Sequence, residues 1–244
     1  MEEYLKYLKE NLSEPKEEII VNEMSYFVSG DVKQILNRVE VVTKKEMLSR
    51  VQIGDIMVSF TANKNLKEKF GAKQYGKILA AFQGSPYTSS KVIIDKNYAA
   101  GYGITTNMKV PSDNKVEKVP ISQAIRDRSE ICLIRLNVSN EIKKKAMRWI
   151  NSKMGLAYAE SDLLKSTWDR FTNRKFFPFF KKNNLDPNEL KDLQHPLFCS
   201  TIISIAYYIA GHREKFNGHH PYDVWPRDFI LDKNTEKVCK IDYN

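Results

Sequence analysis

The sequence predicts an α+β domain in which an antiparallel sheet packs against helices, and three observations carry that expectation. Short β-branched runs cluster early, at Ile56-Met57-Val58, Lys91-Val92-Ile93-Ile94 and Ile131-Cys132-Leu133-Ile134. The period then changes: Ile142, Ala146, Trp149 and Ile150 fall on one helical face behind Ser139, a good N-cap. A second, strongly apolar helix is expected from Cys199 to Ala210, stopped by Gly211. Strands grouped before helices, rather than alternating with them, point to α+β.

The other elements follow in chain order. Met1 to about Leu12 places apolar residues at helical spacing, and Asp31 to Val39 reads as a second helix through Val32, Ile35, Leu36 and Val39. Residues 1–50 are therefore expected to form an N-terminal helical extension, with the main domain at 51–244. Val51 to Phe60 reads as a turn followed by a strand. Lys73 to Phe82 has helical spacing, and Gly84-Ser85-Pro86 breaks it. Tyr98 to Met108, with Gly101 and Gly103 before Ile104, suggests a hairpin. The sheet is expected to run through Ile56, Val92, Ile104 and Leu133. Gly155 ends the helix behind Ser139. Residues 172–195 read as an inserted loop with a turn of helix at Pro187 to Leu193. The tail from His219 to Leu231, with its aromatics and prolines, is expected to return over the core.

Composition narrows the function classes. The 244 residues include 42% hydrophobic and 11% aromatic side chains, enough for a core and too many for wholesale disorder. The longest apolar run, Ile202 to Ala210, falls far short of the roughly 20 residues a membrane span needs. The opening MEEYLKYLKE lacks the apolar stretch of a secretory signal, so a cytoplasmic or virion-associated protein is expected. Lys and Arg number 39 against 30 Asp and Glu, a net charge of +9 that suits an anionic surface without specifying nucleic acid. Three cysteines, Cys132, Cys199 and Cys239, make no CxxC and no zinc spacing. No phosphate loop or metal cluster is visible, so no cofactor is expected.

Cys199 has the best argument for chemistry. It opens a helix, where the dipole and unpaired N–H groups stabilise a thiolate and can hold an oxyanion. The bland alternative is a small buried core residue. Cys132, inside a strand, reads as core, and Cys239, in a charged tail, as incidental.

Several segments also stand in the order of a known family. Ile53-Gly54-Asp55-Ile56, Ser90-Lys91-Val92-Ile93-Ile94, Tyr98 to Thr106, Val119-Pro120-Ile121 with Ile131 to Arg135, Gly155-Leu156-Ala157-Tyr158, Phe198-Cys199-Ser200 and Pro226-Arg227-Asp228-Phe229 together resemble the circularly permuted NlpC/P60 papain-like cysteine hydrolases. The resemblance covers about Val51 to Asp232. It implies a permuted papain-like fold, with the sheet against the helix of the nucleophile Cys199, and a base on the strand preceding it. The family's histidine falls on Lys91 in the best register, with Ser89 and Ser90 as the alternatives, and none is an imidazole. Thr201 stands where the family often has Glu, and Tyr98 to Ala100 offers no carboxylate.

A base must then come from elsewhere. His195, four residues before Cys199, leads; Lys91 qualifies only if burial depresses its pKa. His212, His219 and His220 are the remaining imidazoles, and loop histidines at the surface are the bland reading. The segment Arg174-Lys175-Phe176-Phe177-Pro178-Phe179-Phe180-Lys181-Lys182 is the other standout. Four Phe between basic pairs suit a membrane interface, a protein partner or single-stranded nucleic acid; the alternative is a loop anchored on its own core.

Two functions follow. One is a cysteine amidase or peptidase acting on a peptide or acyl-amide substrate such as a cell-wall (peptidoglycan) peptide, with Cys199 attacking and His195 or Lys91 taking the proton. The other is a catalytically inactive domain, a pseudoenzyme used for binding or structure in a larger assembly, for example a virion or phage component.

Overall fold

The computed structural model of the protein describes residues 16–21, 24–60, 85, 87–102, 115–126, 130–156 and 198–242. Its elements are strands β1 (Lys16–Val21) and β2 (Met24–Ser29), helices α1 (Gly30–Leu36) and α2 (Lys44–Arg50), and strands β3 (Ile56–Phe60), β4 (Ser89–Ile93), β5 (Tyr98–Tyr102) and β6 (Val116–Pro120). Helix α3 (Ile121–Arg126), strand β7 (Glu130–Leu136), helices α4 (Asn140–Ser152), α5 (Cys199–Ala210) and α6 (Pro226–Leu231), and strand β8 (Thr235–Asp242) complete it.

Six strands form one antiparallel sheet in the order β6-β5-β4-β3-β7-β8. Alternation along each strand sends successive side chains to opposite faces. Ile56, Val58, Val92, Cys132 and Ile134 pack in one apolar layer with Cys199, Ile203 and Tyr207 of α5 and Trp149 and Ile150 of α4. Met57, Ile93, Ala99, Ile131, Leu133 and Cys239 pack on the other face with Met47 of α2 and Ile125 of α3. Each fully buried aliphatic side chain contributes about 1.5–3 kcal/mol. The domain is thus α+β, with the Cys199 helix on the sheet.

Local chemistry sets the helix limits. Ser139 Oγ accepts from Ile142 N at the start of α4, and Thr43 and Glu46 close a reciprocal capping box on α2. Gly211, at φ 114°, turns the chain out of α5 in a left-handed conformation that disfavours a side chain.

Several expectations are corrected. The N-terminal extension is not wholly helical, because β1 and β2 pair as an antiparallel ribbon from Lys16↔Ser29 to Val21↔Met24. Ile19, Ile20 and Val21 in one strand and Tyr26, Phe27 and Val28 in the other are β-branched or aromatic residue types that favour strands, and Ile19 stands in register with Tyr26. Val32 and Leu36 of α1 belong to the helix-side core, Met47 to the opposite one, and Val41 bridges Lys240 at the edge of β8. The charged tail is strand β8, and Cys239 is fully buried in it rather than incidental. Expectations for Met1 to Leu12, Lys73 to Phe82, Ile104 and 172–195 fall outside the described residues.

Candidate functional site

Cys199 is the first residue of α5. Phe198 before it is extended (φ −96°, ψ 169°) and supplies no side-chain cap, and no acidic residue stands in the first turn. Ile202 N is the first helical amide bonded back, to Phe198 O at 3.1 Å. The N–H groups of Cys199, Ser200 and Thr201 therefore precede the intrahelical ladder and present the positive end of the helix dipole. Cys199 itself is 7% exposed and lies in the helix-side apolar layer.

Three contacts fix the helix in place. Toward its C-terminal end, Tyr207 Oη donates to Gly54 O at 2.6 Å, and Gly54 N donates to Ile93 O at 2.8 Å, tying the helix to the end of β4. Near its start, Thr201 Oγ1 donates to Tyr222 O at 3.3 Å, and Ser204 Oγ donates to Pro221 O. The tail thus returns over α5 as its composition suggests. The Gly54 turn is held from below. Asp55, fully buried, accepts Arg135 Nε at 2.9 Å and Nη2 at 2.8 Å, and Gln52 N at 2.8 Å. The Gly-Asp and Arg elements of the sequence pattern meet as this structural ion pair.

Lys91 is 4% exposed but stands on the face of the sheet away from Cys199. It pairs with Met57, and its stem lies where a side chain at Gly101 would go, 2.7 Å from that Cβ position. Since β4 lies inside the sheet, the amine cannot cross to the thiol. The β4 residues on the Cys199 face are Ser90 and Val92; Ser90 is fully buried, and its Oγ has no hydrogen-bond partner among the described residues. Ser200 Oγ on α5 is likewise buried without a partner. Position parity along β4 puts Ser90 on the helix-facing side with Val92, and Lys91 on the other.

Three imidazoles lie among the described residues, and each has contacts of its own. His212 follows the C-terminal end of α5, about 18 Å along the axis from Cys199 at 1.5 Å per residue. There it packs on Phe216 and Tyr207, and burial lowers its pKa. His219 Nε2 lies 3.6 Å from Oδ1 of the fully buried Asp228. Asp228 also accepts Trp225 N at 2.7 Å, which caps α6. His220 Nδ1 accepts Tyr222 N at 3.4 Å while its ring stacks on Tyr222, and burial lowers its pKa. His195 and the segment from Arg174 through Lys182 lie outside the described residues.

The three thiols are free and buried. Burial pushes Cys132 up to about 12, and it raises Cys239 as well. Among the described residues no group of three His, Cys, Asp or Glu side chains could hold a metal ion, and no helix is long and apolar enough to cross a membrane. No protein-family model matches the chain, and no curated protein matches it in sequence.

Proposed function

We propose that the chain is a permuted papain-like domain of the NlpC/P60 kind that has kept the nucleophile position but lost the strand-borne base, and that it serves as a binding or structural module in a larger assembly such as a virion or phage particle. One observation carries this reading: the helix-facing positions of β4 are held by Ser90 and Val92, neither of them an imidazole. A serine hydroxyl cannot take a thiol proton near neutral pH, and a cysteine hydrolase needs a base within hydrogen-bond reach. The setting of Cys199 in an apolar layer supports the same reading. The basic surface and the segment from Arg174 to Lys182 then supply contacts to protein partners or an anionic surface.

A second reading rests on the uncapped start of α5. Its first amides can stabilise a thiolate and an oxyanion, which suits a cysteine hydrolase of amide or peptide bonds with His195 as base. In that mechanism Cys199 attacks the carbonyl, His195 takes and returns the proton, the amide leaves as amine, and water releases the acyl-enzyme.

The pH dependence of Cys199 alkylation, followed by mass spectrometry on the full chain, separates them. The module reading expects Cys199 to react no faster than an unactivated thiol across the pH range. Fast alkylation at neutral pH that His195→Ala abolishes would overturn it in favour of the hydrolase.

A further inference from the structure

We infer that Glu130 and Asp242 form a proton-operated clasp, which fastens the end of β8 to β7 when Glu130 is protonated and loosens it when both carboxylates are charged. The two residues stand directly opposite each other in the antiparallel β7–β8 ladder. Directly opposed side chains on neighbouring strands are close enough for like charges to destabilise the pair. Alternation puts both on the α5 face of the sheet, together with Lys240 and Cys132.

The surrounding groups can be named among the described residues. From the segment leading into β4, Tyr87 Oη donates to Glu130 Oε2 at 3.2 Å. From β8, Lys240 Nζ lies 2.9 Å from Asp242 Oδ2, so the cation that acts on Glu130 among the described residues is bound to the opposing carboxylate. On β7 itself, Cys132 is held neutral by burial. On β3, Phe60 is in register with Glu130 and brings no charge. Glu130 thus has one hydrogen-bond donor and a like charge across the ladder. Burial and then the Asp242 charge raise its pKa, against the smaller opposing effects of Tyr87 and Lys240.

The sign follows from linkage. A carboxyl whose folded pKa is raised contributes stability that is complete below its unfolded pKa and is lost as pH rises through the folded value. The clasp therefore closes on acidification and opens toward neutral pH. Because the 1% exposed Tyr87 belongs to the helix-side core and leads directly into β4, opening also frees the start of the strand that carries Ser90.

The test uses the full chain. Carbon-detected NMR titration of Glu130 is expected to give a midpoint above the ordinary glutamate value of about 4.3. Asp242→Asn should move that midpoint downward. Hydrogen exchange, corrected for the intrinsic pH effect, should show the amides of 235–242 several-fold better protected at about pH 5 than at about pH 8. Glu130→Gln should remove most of that difference. An ordinary midpoint for Glu130 in the unaltered chain, or a Glu130→Gln chain that keeps the full pH dependence, would overturn the proposal. The titration of the unaltered chain decides the question even if a variant folds poorly.

Discussion

Arg135 grips Asp55 in parallel, Nε to Oδ1 at 2.9 Å and Nη2 to Oδ2 at 2.8 Å, while Nη2 also donates to Arg50 O at 2.8 Å. One guanidinium thereby ties β7 to the turn before β3 and to the end of α2. Asp55 is fully buried, and removing one partner of a buried pair leaves the other charge uncompensated. Arg135→Met is expected to lower stability by about 3 kcal/mol, whereas Arg135→Met with Asp55→Leu should recover much of that loss. Urea denaturation of the two variants checks this; equal losses in both would show that the pair matters only through its shape.

The Gly54 turn should be the least tolerant point near the candidate site. Gly54 has φ +90°, and a Cβ there would meet Tyr207 Oη at 2.8 Å and Lys143 Cγ at 3.0 Å. Gly54→Ala thus combines a left-handed backbone with a clash against the hydroxyl that holds α5. Tyr207→Phe leaves the buried Gly54 carbonyl unpaired and should cost about 1–3 kcal/mol. Gly54→Ala should cost more, and less in the Tyr207→Phe background than alone, because the clash is relieved. Thermal melts of the three variants decide whether the coupling has that sign.

Acid should weaken the tail that covers α5. Burial holds His212 and His220 below the ordinary histidine range. A depressed histidine contributes stability that is present above its unfolded pKa, about 6.5, and is lost as pH falls through the folded value. His212→Phe keeps a ring against Phe216 and Tyr207 but cannot titrate. The loss of stability from about pH 8 to about pH 5 should be shallower in this variant than in the unaltered chain. Urea midpoints across that range measure it, and parallel slopes would sink the assignment.

How much of this was legible depends on whether burial was one-sided. The start of α4 and the extent of α5 were readable because Ser139 and Gly211 are local signals with local causes, while α4 stops at Ser152, ahead of the Gly155 expected to end it. Strand β8 was not. Its charges suggest a solvated tail, and the register shift at Leu133/Ile134 puts Thr235 and Lys237 on the opposite face from Cys239 and Ile241, so no single alternation runs the length of the strand. The same blindness hid the site. Ser90, Lys91, Val92 and Ile93 are all buried, so β4 shows no alternation from which to choose the residue facing Cys199. Glu130 escaped notice because only the register of β7 against β8 brings it opposite Asp242.

Parity along β4 gives the sharpest expectation about the candidate site. If Ser90 holds the place that the resemblance assigns to a base, Ser90→His should bring an imidazole to the Cys199 face of the sheet. The neighbouring Lys91→His should bring it to the opposite face, where Met57 and Ile93 lie. Ser90 is fully buried, so the larger ring should cost about 1–3 kcal/mol of stability through overpacking. In return, a thiol beside an imidazole becomes a better nucleophile. Cys199 alkylation at neutral pH should therefore accelerate several-fold in Ser90→His and stay unchanged in Lys91→His. Cys132 and Cys239, both fully buried, should stay unlabelled in every folded variant and so report any unfolding. Acceleration in Lys91→His alone would reverse the facing of β4, and acceleration in neither would remove the argument that this strand once carried the base.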